Sequence, residues 1–194
     1  MNEKQVQWDK IAQNVDIAED GKSKGIDGGI KETVIALNVL NINTSQSCEG
    51  HIDWGYAGPW IEISPEPTEG LKKLRDDMRA LAIEVDMKEK TKAPREELEQ
   101  LFAKTHELEA EEDRYVLPEI KKVFDLLTEF YKERNPDFGQ ILVLRFYRSD
   151  ARLMCQGTEL QGIVSPEEKV ANLKLYQDEI GLFTEFLKKK YFQD

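Results

Sequence analysis

Two heptad-like runs of apolar residues constrain the fold of this chain most strongly. Leucine, methionine and valine recur at intervals of three and four over residues 71–85, and a similar run covers residues 98–115. This spacing places apolar side chains along one side of a helix. The intervening residues 90–94 predict a turn, and the other helix faces are dense in charged residues. We therefore predict an antiparallel helical hairpin at 68–116, inserted in the chain and projecting from the remainder.

The remainder of the chain predicts an α+β fold. Runs typical of strands lie at residues 42–48, 60–63, 141–147 and 151–156. Amphipathic patterns indicate helices at residues 3–18, 30–40, 120–131 and 166–192. Pro118 either begins a new helix or kinks the preceding one. We predict a single domain over residues 1–194, with a small antiparallel or mixed sheet of about four strands packed with helices.

The charge of the chain restricts the classes of partner. The 38 acidic and 27 basic residues give a formal net charge of −11, whereas nucleic acids and anionic membranes attract basic surfaces. Nucleic acid is therefore not an expected partner. No apolar run is long enough to span a bilayer, and the N-terminus has no apolar leader. Two distant cysteines cannot form a disulfide framework, so we expect a cytoplasmic protein with no membrane contact.

The segment Thr44–Ile63 holds the residues best suited to chemistry. One interpretation makes Cys48, Glu49 and His51 catalytic, with His51 lowering the pKa of the Cys48 nucleophile. A second uses the Cys-x-x-His spacing for a metal ion, with Cys48, His51 and Asp53 as ligands. A third is structural, because free cysteine is commonly a small buried apolar residue. In that case His51 hydrogen-bonds the loop.

A second cluster lies on the last two predicted strands. With a two-residue turn at 149–150, Tyr147 faces Arg152 across the strand pair. Arg145 then lies diagonally from Arg152 on the same sheet face. Neighbouring cations repel unless negative charge lies between them. A helix carboxylate is one candidate for that charge, and the phosphate or carboxylate of a bound ligand is the other. Arg148, at the turn, would extend such a site.

The loop between the first two predicted strands is rich in aromatic residues and glycine. Such a loop forms either a lid that stacks on a ligand ring or an apolar flap over the sheet edge. Small polar side chains fill the preceding strand, and buried polar groups need partners, which indicates a wet cleft. We predict that the residues in contact with a ligand there are Thr44, Ser47, Gly50, Trp54, Arg145, Tyr147 and Arg152.

The pattern Thr-x-x-Ser-Cys-x-Gly at residues 44–50, after Ile-Asp at 26–27 and the helix at 30–40, resembles the tRNA wybutosine-synthesizing protein 3 family. That family consists of S-adenosylmethionine-dependent methyltransferases of tRNA. The chain has His51 where the family typically carries a basic residue. The resemblance implies functional positions at Thr44, Ser47, Cys48 and Gly50. The Ser-Cys-Glu-Gly-His string, with Pro-Trp at 59–60, also resembles uncharacterised bacterial or phage proteins.

Three functions follow as hypotheses. The leading one is binding of a small anionic or nucleotide-like ligand, in a cleft between the Ser47–Trp60 loop and the strand face of Arg145 and Arg152. The second is an interaction module, in which the hairpin at 68–116 forms a homodimer or a partner surface. The third, implied by the resemblance alone, is S-adenosylmethionine-dependent methyl transfer. The sequence does not specify a reaction or a cofactor.

Overall fold

The computed structural model describes residues 2–18, 24–147 and 150–193. It confirms the α+β class, with five α-helices and a four-stranded antiparallel sheet in that part of the chain. The helices are α1 (Glu3–Ile17), α2 (Gly28–Val39), α3 (Glu69–Lys90), α4 (Arg95–Phe130) and α5 (Pro166–Gln193). The strands are β1 (Thr44–Cys48), β2 (Trp60–Ile63), β3 (Leu142–Tyr147) and β4 (Asp150–Cys155). Short 3-10 turns lie at Phe138–Gln140 and Gln156–Leu160.

The helix ends follow from local capping chemistry. The Thr68 hydroxyl accepts a hydrogen bond from the Leu71 N–H at the start of α3. At the start of α5, Ser165 and Glu168 each accept a hydrogen bond from the other's backbone N–H, as in a capping box. Pro118 neither begins nor ends a helix, because α4 continues through it. Within the described residues, no helix is both long and apolar enough to cross a membrane.

The sheet has an apolar face and a polar face. Its strand order is β1-β2-β4-β3, with every neighbouring pair antiparallel. The apolar face belongs to the core and includes the fully buried side chains of Ile61, Ile63, Leu153 and Cys155. The other face, here called the outer face, carries a polar row in register across all four strands: Gln46, Glu62, Arg152 and Arg145.

Helices α2 and α5 supply much of the core and also bury polar groups in pairs. The hydroxyls of Thr33 and Thr184 hydrogen-bond each other at 2.7 Å inside the core. Glu179, also buried, accepts hydrogen bonds from Arg134 Nη2 at 2.7 Å and from the Tyr131 hydroxyl at 3.0 Å. These pairs satisfy groups whose burial alone would be costly, and they join α2 and the segment just after α4 to α5.

Residues 65–118 form a compact unit of their own. Within it, α3 and the first part of α4 run antiparallel, as the ion pairs Arg75–Glu112 and Lys88–Glu97 show. The residues that the unit buries include Leu71, Leu74, Leu81 and Val116. Most of these positions belong to the heptad-like runs of the sequence.

The β3–β4 register differs from the predicted one by two residues. Tyr147 is opposite Asp150, and Arg145 is directly opposite Arg152 rather than diagonal to it. The predicted position of the turn is therefore wrong. A shift of one residue moves every side chain to the other face, but a shift of two leaves each face unchanged. The alternation of apolar residues cannot distinguish these two registers. Arg148 lies outside the described residues.

Candidate metal centre

Three metal-ligating side chains converge where β1 ends beside the N-terminus of α2. Cys48 is the last residue of β1 and is buried. Asp27 immediately precedes α2, and His51 lies in the loop after β1. The thiol sulfur, one carboxylate oxygen and one ring nitrogen lie within 4.8 Å of one another. We call these three residues the Asp27–Cys48–His51 cluster.

The Asp27 carboxylate connects the members of the cluster. Its Oδ2 lies 3.3 Å from His51 Nε2 and accepts a hydrogen bond of 3.2 Å from the Glu49 N–H. Asp27 occupies the N-cap position of α2, yet its side chain makes no capping hydrogen bond to that helix. An N-cap aspartate ordinarily accepts from the first turn of its own helix. Here the carboxylate faces the loop after β1 instead.

A tight turn at Gly50 aims a backbone donor at the thiol. The Gly50 N–H donates a hydrogen bond of 3.4 Å to Cys48 Sγ, and the φ angle of Gly50 is +88°. A Cβ at this position would lie 2.7 Å from the Gly58 carbonyl carbon and from Leu173 Cδ1. Both the conformation and the space therefore require glycine. A hydrogen bond donated to the sulfur favours the charged thiolate.

Glu49 holds the loop in place from outside the cluster. Its Oε2 accepts a hydrogen bond of 2.7 Å from the Gly29 N–H at the N-terminus of α2, where the helix dipole favours a carboxylate. Its carbonyl accepts a hydrogen bond of 3.1 Å from Gln177 Nε2 in α5. Near the other end of the loop, the Gln161 amide bonds both the N–H and the carbonyl of Ala57. These bonds fix the backbone that carries the cluster.

His51 connects the Asp27–Cys48–His51 cluster to the exposed part of the loop. Its imidazole stacks on the Trp54 indole, with ring centroids 4.0 Å apart and an interplanar angle of 16°. Its N–H donates a hydrogen bond of 3.0 Å to the Tyr56 carbonyl. Asp53, predicted from sequence as a metal ligand, is exposed and lies outside the cluster. Among the described residues, the carboxylate beside Cys48 and His51 is that of Asp27, in the position that the sequence predicted for Asp53.

The surroundings of Cys48 keep its thiol protonated. Burial raises the pKa of the thiol above its ordinary value, and the charge of Asp27 and its hydrogen bond to the thiol raise it further. The Gly50 N–H offsets part of this rise. The thiolate is the nucleophilic form, so this environment does not favour the interpretation of Cys48, Glu49 and His51 as a catalytic set. Coordination by a metal ion would remove the thiol proton.

Arg145, Arg152 and Tyr147 share the outer face of the sheet, as the sequence predicts. The guanidinium groups of Arg145 and Arg152 lie 5.0 Å and 4.9 Å from the centre of the Tyr147 ring. Arg152 Nε and Nη2 each lie 3.3 Å from Glu62 Oε2. Arg145 pairs with Glu159. Each arginine therefore has a carboxylate partner, although neither partner comes from a helix of the core.

The remaining predicted ligand residues lie apart from the Asp27–Cys48–His51 cluster. Thr44 is at the opposite end of β1 from Cys48. Ser47 is the neighbour of Cys48 on the strand, so its side chain points to the other face. Trp60, at the end of the loop, lies 4.1 Å from the Arg152 guanidinium. Trp60 therefore joins the end of the loop to Arg152 on the outer face.

Asp27 is the cluster residue that sequence reasoning missed. Asp27, followed by the two glycines that begin α2, predicts only an N-cap, a role that needs no distant partner. The contact with His51 depends on the N-terminus of α2 lying beside the end of β1, which no local pattern encodes. The one available signal was that Cys48 and His51 alone are too few ligands for a metal site.

No protein-family model, no characterised protein and no solved structure matches this chain. The resemblance to the wybutosine-synthesizing family, and the methyl transfer that it implies, therefore stay predictions. The geometry of the cluster is the basis for a functional proposal.

Proposed function

We propose that the protein binds a divalent transition metal, Zn²⁺ foremost, through Asp27, Cys48 and His51. The observation that carries this proposal is the convergence of a sulfur, a nitrogen and an oxygen donor within 4.8 Å. Carboxylate groups alone are common on an acidic surface and suit Mg²⁺ or Ca²⁺. A thiolate and an imidazole beside a carboxylate favour Zn²⁺ and its neighbours in the first transition series.

The separations within the cluster fit a zinc ion. Bonds of about 2.0 Å to nitrogen and oxygen and about 2.3 Å to sulfur place tetrahedral ligand atoms roughly 3.3–3.6 Å apart. Asp27 Oδ2 and His51 Nε2 are 3.3 Å apart without any adjustment. Because every pair of donor atoms lies within 4.8 Å, shifts of about 1 Å by side chains bring the sulfur to bonding distance.

Three protein ligands leave the fourth tetrahedral position to water or a substrate. This is the ligand number of catalytic zinc centres, whereas structural centres use four protein ligands. Zn²⁺ would supply Lewis acidity, which polarises a carbonyl or lowers the pKa of bound water. The chain's own contribution is to hold the ion with the cluster and to support the thiolate with the Gly50 N–H. The reaction class that fits is metal-assisted hydrolysis.

Metal titration of chelator-treated protein tests the proposal. We expect one Co²⁺ or Zn²⁺ per chain, and Co²⁺ should give a thiolate-to-cobalt charge-transfer band in the near ultraviolet. Asp27→Asn, Cys48→Ser and His51→Ala should each weaken binding, and Cys48→Ser should abolish the band. Asp53→Asn is the matched control, since it removes a nearby carboxylate outside the cluster.

Two outcomes would contradict this ligand set. Wild-type protein that binds no more Co²⁺ or Zn²⁺ than Cys48→Ser would exclude a metal at the cluster. Normal binding by Asp27→Asn, with loss in Asp53→Asn, would instead favour the ligands predicted from the sequence alone.

Anion binding on the outer face of the sheet is the second candidate. Arg145 and Arg152 are directly opposed, and opposed like charges repel. The Arg145–Glu159 pair is well exposed, at 42% and 43% of its side-chain surfaces, so it contributes little stability. A phosphate could displace Glu159 and bridge the two arginines, beside the Tyr147 ring. Pyrophosphate should raise the melting temperature of the wild type but not that of Arg145→Ala. If pyrophosphate leaves the melting temperature of the wild type unchanged, anion binding on the outer face is contradicted.

A further inference from the structure

Trp54 combines high exposure with a fixed position. Its side chain is 59% exposed, yet its indole lies flat on the His51 imidazole at 4.0 Å and 16°. The turn that carries it is closed by the hydrogen bond from the His51 N–H to the Tyr56 carbonyl. The Lys24 ammonium lies 5.5 Å from the centre of the indole ring, a cation–π contact that favours the same indole position.

A metal-ligating histidine needs a fixed ring orientation, and the indole stacked on His51 restricts the orientation of its ring. Such a residue ordinarily donates its second ring N–H to a carboxylate, a carbonyl or water, which fixes the orientation of the ring. In His51, Nε2 faces Asp27 Oδ2 at 3.3 Å. Among the described residues, Asp27 is the protein group that hydrogen-bonds this ring. The plane of the imidazole is further restricted by the Trp54 indole stacked on it.

We propose that Trp54 is a positioning residue for the metal centre, holding the His51 imidazole in place by stacking on it. This inference rests on the proposed metal-binding function. The stack restricts rotation of the imidazole about its bond to Cβ and keeps Nε2 directed towards Asp27. Without the stack, the ring must be immobilised when the ion binds, and the affinity falls accordingly.

A small set of substitutions separates positioning from bulk packing. Trp54→Ala removes the stacking surface, whereas Trp54→Phe keeps a flat ring and should preserve most of the affinity. Ile52→Ala is the matched control, because Ile52 lies in the same turn and is 40% exposed. Loss of an orienting partner typically costs 10–100-fold in metal affinity, so we expect a loss of about 10- to 100-fold for Trp54→Ala.

Two measurements on the full chain test the inference. Zn²⁺ affinity is measured by competition with a chromophoric chelator for the wild type and the three variants. Proton NMR of the imidazole ring is measured without metal, where the indole ring current should shift the His51 signals in the wild type but not in Trp54→Ala. The chain has 2 histidines, so His106, exposed on α4, is the internal reference.

The outcomes distinguish this inference from the proposed function. Weaker Zn²⁺ binding by Trp54→Ala, with recovery in Trp54→Phe and no change in Ile52→Ala, supports it. Equal affinity of Trp54→Ala and wild type overturns the positioning role and leaves the metal site intact. An absence of ring-current shifts in the wild type also overturns it. Wild-type protein that binds no Zn²⁺ overturns the proposed function and this inference together.

Discussion

At the scale of single residues, two glycines of the same loop distinguish the strain of a positive φ angle from the steric overlap that a side chain would cause. Gly50 and Gly55 have φ angles of +88° and +77°, which side chains rarely adopt. A Cβ on Gly50 would meet the Gly58 backbone at 2.7 Å, whereas one on Gly55 would have no atom within 4 Å. We expect Gly50→Ala to lower the unfolding free energy by about 2–4 kcal/mol, and Gly55→Ala by about 1 kcal/mol.

Urea denaturation of both variants measures this difference. The strain of a positive φ angle is common to both positions. The larger loss of unfolding free energy in Gly50→Ala than in Gly55→Ala therefore reports the close approach of the Gly58 backbone. Gly50→Ala should also weaken Zn²⁺ binding, since the N–H that it carries points at Cys48 Sγ. Equal stability losses in the two variants would contradict the close packing at Gly50.

The two cysteines should both react slowly in the folded protein. Cys48 is 8% exposed and Cys155 is fully buried, and burial raises the pKa of each thiol. Both the access of the reagent and the fraction of thiolate are therefore low. We expect native thiols to react with an aromatic disulfide reagent at least about tenfold more slowly than unfolded ones at neutral pH. Cys48→Ser, which leaves only Cys155, should be slower still, and a fast native reaction of that variant would contradict the buried position of Cys155.

At the scale of elements, periodicity predicted most helices and strands but not their pairing. The predicted strand at 60–63 matches β2, and the predicted C-terminal helix at 166–192 matches α5 within a residue. Each of these signals is local, because a helix face or a strand alternation repeats within a few residues. The β3–β4 register was predicted wrongly because a slip of two residues leaves the same side chains on each face of the sheet. The strand order also depends on contacts between distant segments.

The outer face of the sheet offers a test of how burial changes the contribution of an ion pair to stability. Arg145 and Arg152 are directly opposed and repel each other. The Glu62 carboxylate pairs with Arg152 and is only 15% exposed, so its negative charge should contribute to the free energy of unfolding. We expect Glu62→Gln to cost about 1–3 kcal/mol of unfolding free energy. Glu159→Gln should cost about 0–1 kcal/mol, since that pair is more exposed. Chemical denaturation measures both, and equal costs would contradict the difference in burial.

The hairpin hypothesis is tested by charge placed on the exposed apolar residues of the 65–118 unit. The three that lie within the predicted hairpin at 68–116 are Ile83, Met87 and Phe102. A homodimer formed through the hairpin predicts a solution mass twice that of the 22.4 kDa chain, and substitution of these residues by glutamate should halve it, because burial of unpaired charge is costly. Ile163→Glu is the control, since Ile163 is 83% exposed outside the unit. Light scattering that shows the same mass for all variants would exclude the hairpin as the dimer surface.

At the scale of the whole molecule, the candidate site depends on tertiary structure more than the fold class does. Cys48 and His51 were recognisable in the sequence because they lie close together in an unusual loop. Asp27 joins them only when α2 and β1 are in place, and the stack of Trp54 on His51 depends on the turn of the loop. A sequence pattern can therefore identify the loop, but the third donor and the orienting ring follow from packing.

The buried titratable groups of the core predict how stability depends on pH. Burial raises the pKa of Cys155 and the pKa values of Tyr131 and Tyr176 in the folded state. In the unfolded chain the thiol loses its proton near its ordinary pKa of 9.0 and the phenols near 10.0. Below pH 9.0 both states hold these protons, so the contribution to stability is complete. As the pH rises further, only the unfolded state loses protons, and stability falls by up to about 1.4 kcal/mol per pH unit for each group.

Unfolding free energies in urea, measured from about pH 7 to about pH 10.5, should therefore decline steeply only at the alkaline end. Cys48 has the same ordinary pKa of 9.0 and is also raised by burial, so the comparison is made in a Cys48→Ser protein. There Cys155→Ala removes the remaining thiol, which is the group with the lowest unfolded pKa among those named here. Its stability should be lower at neutral pH because of the cavity left behind, yet its decline should begin about one pH unit later. The onset of the decline, rather than the absolute stability, is the informative quantity, because the cavity cost does not depend on pH. An identical onset in Cys48→Ser and in the Cys48→Ser, Cys155→Ala double variant would show that the Cys155 thiol does not contribute to the alkaline loss of stability.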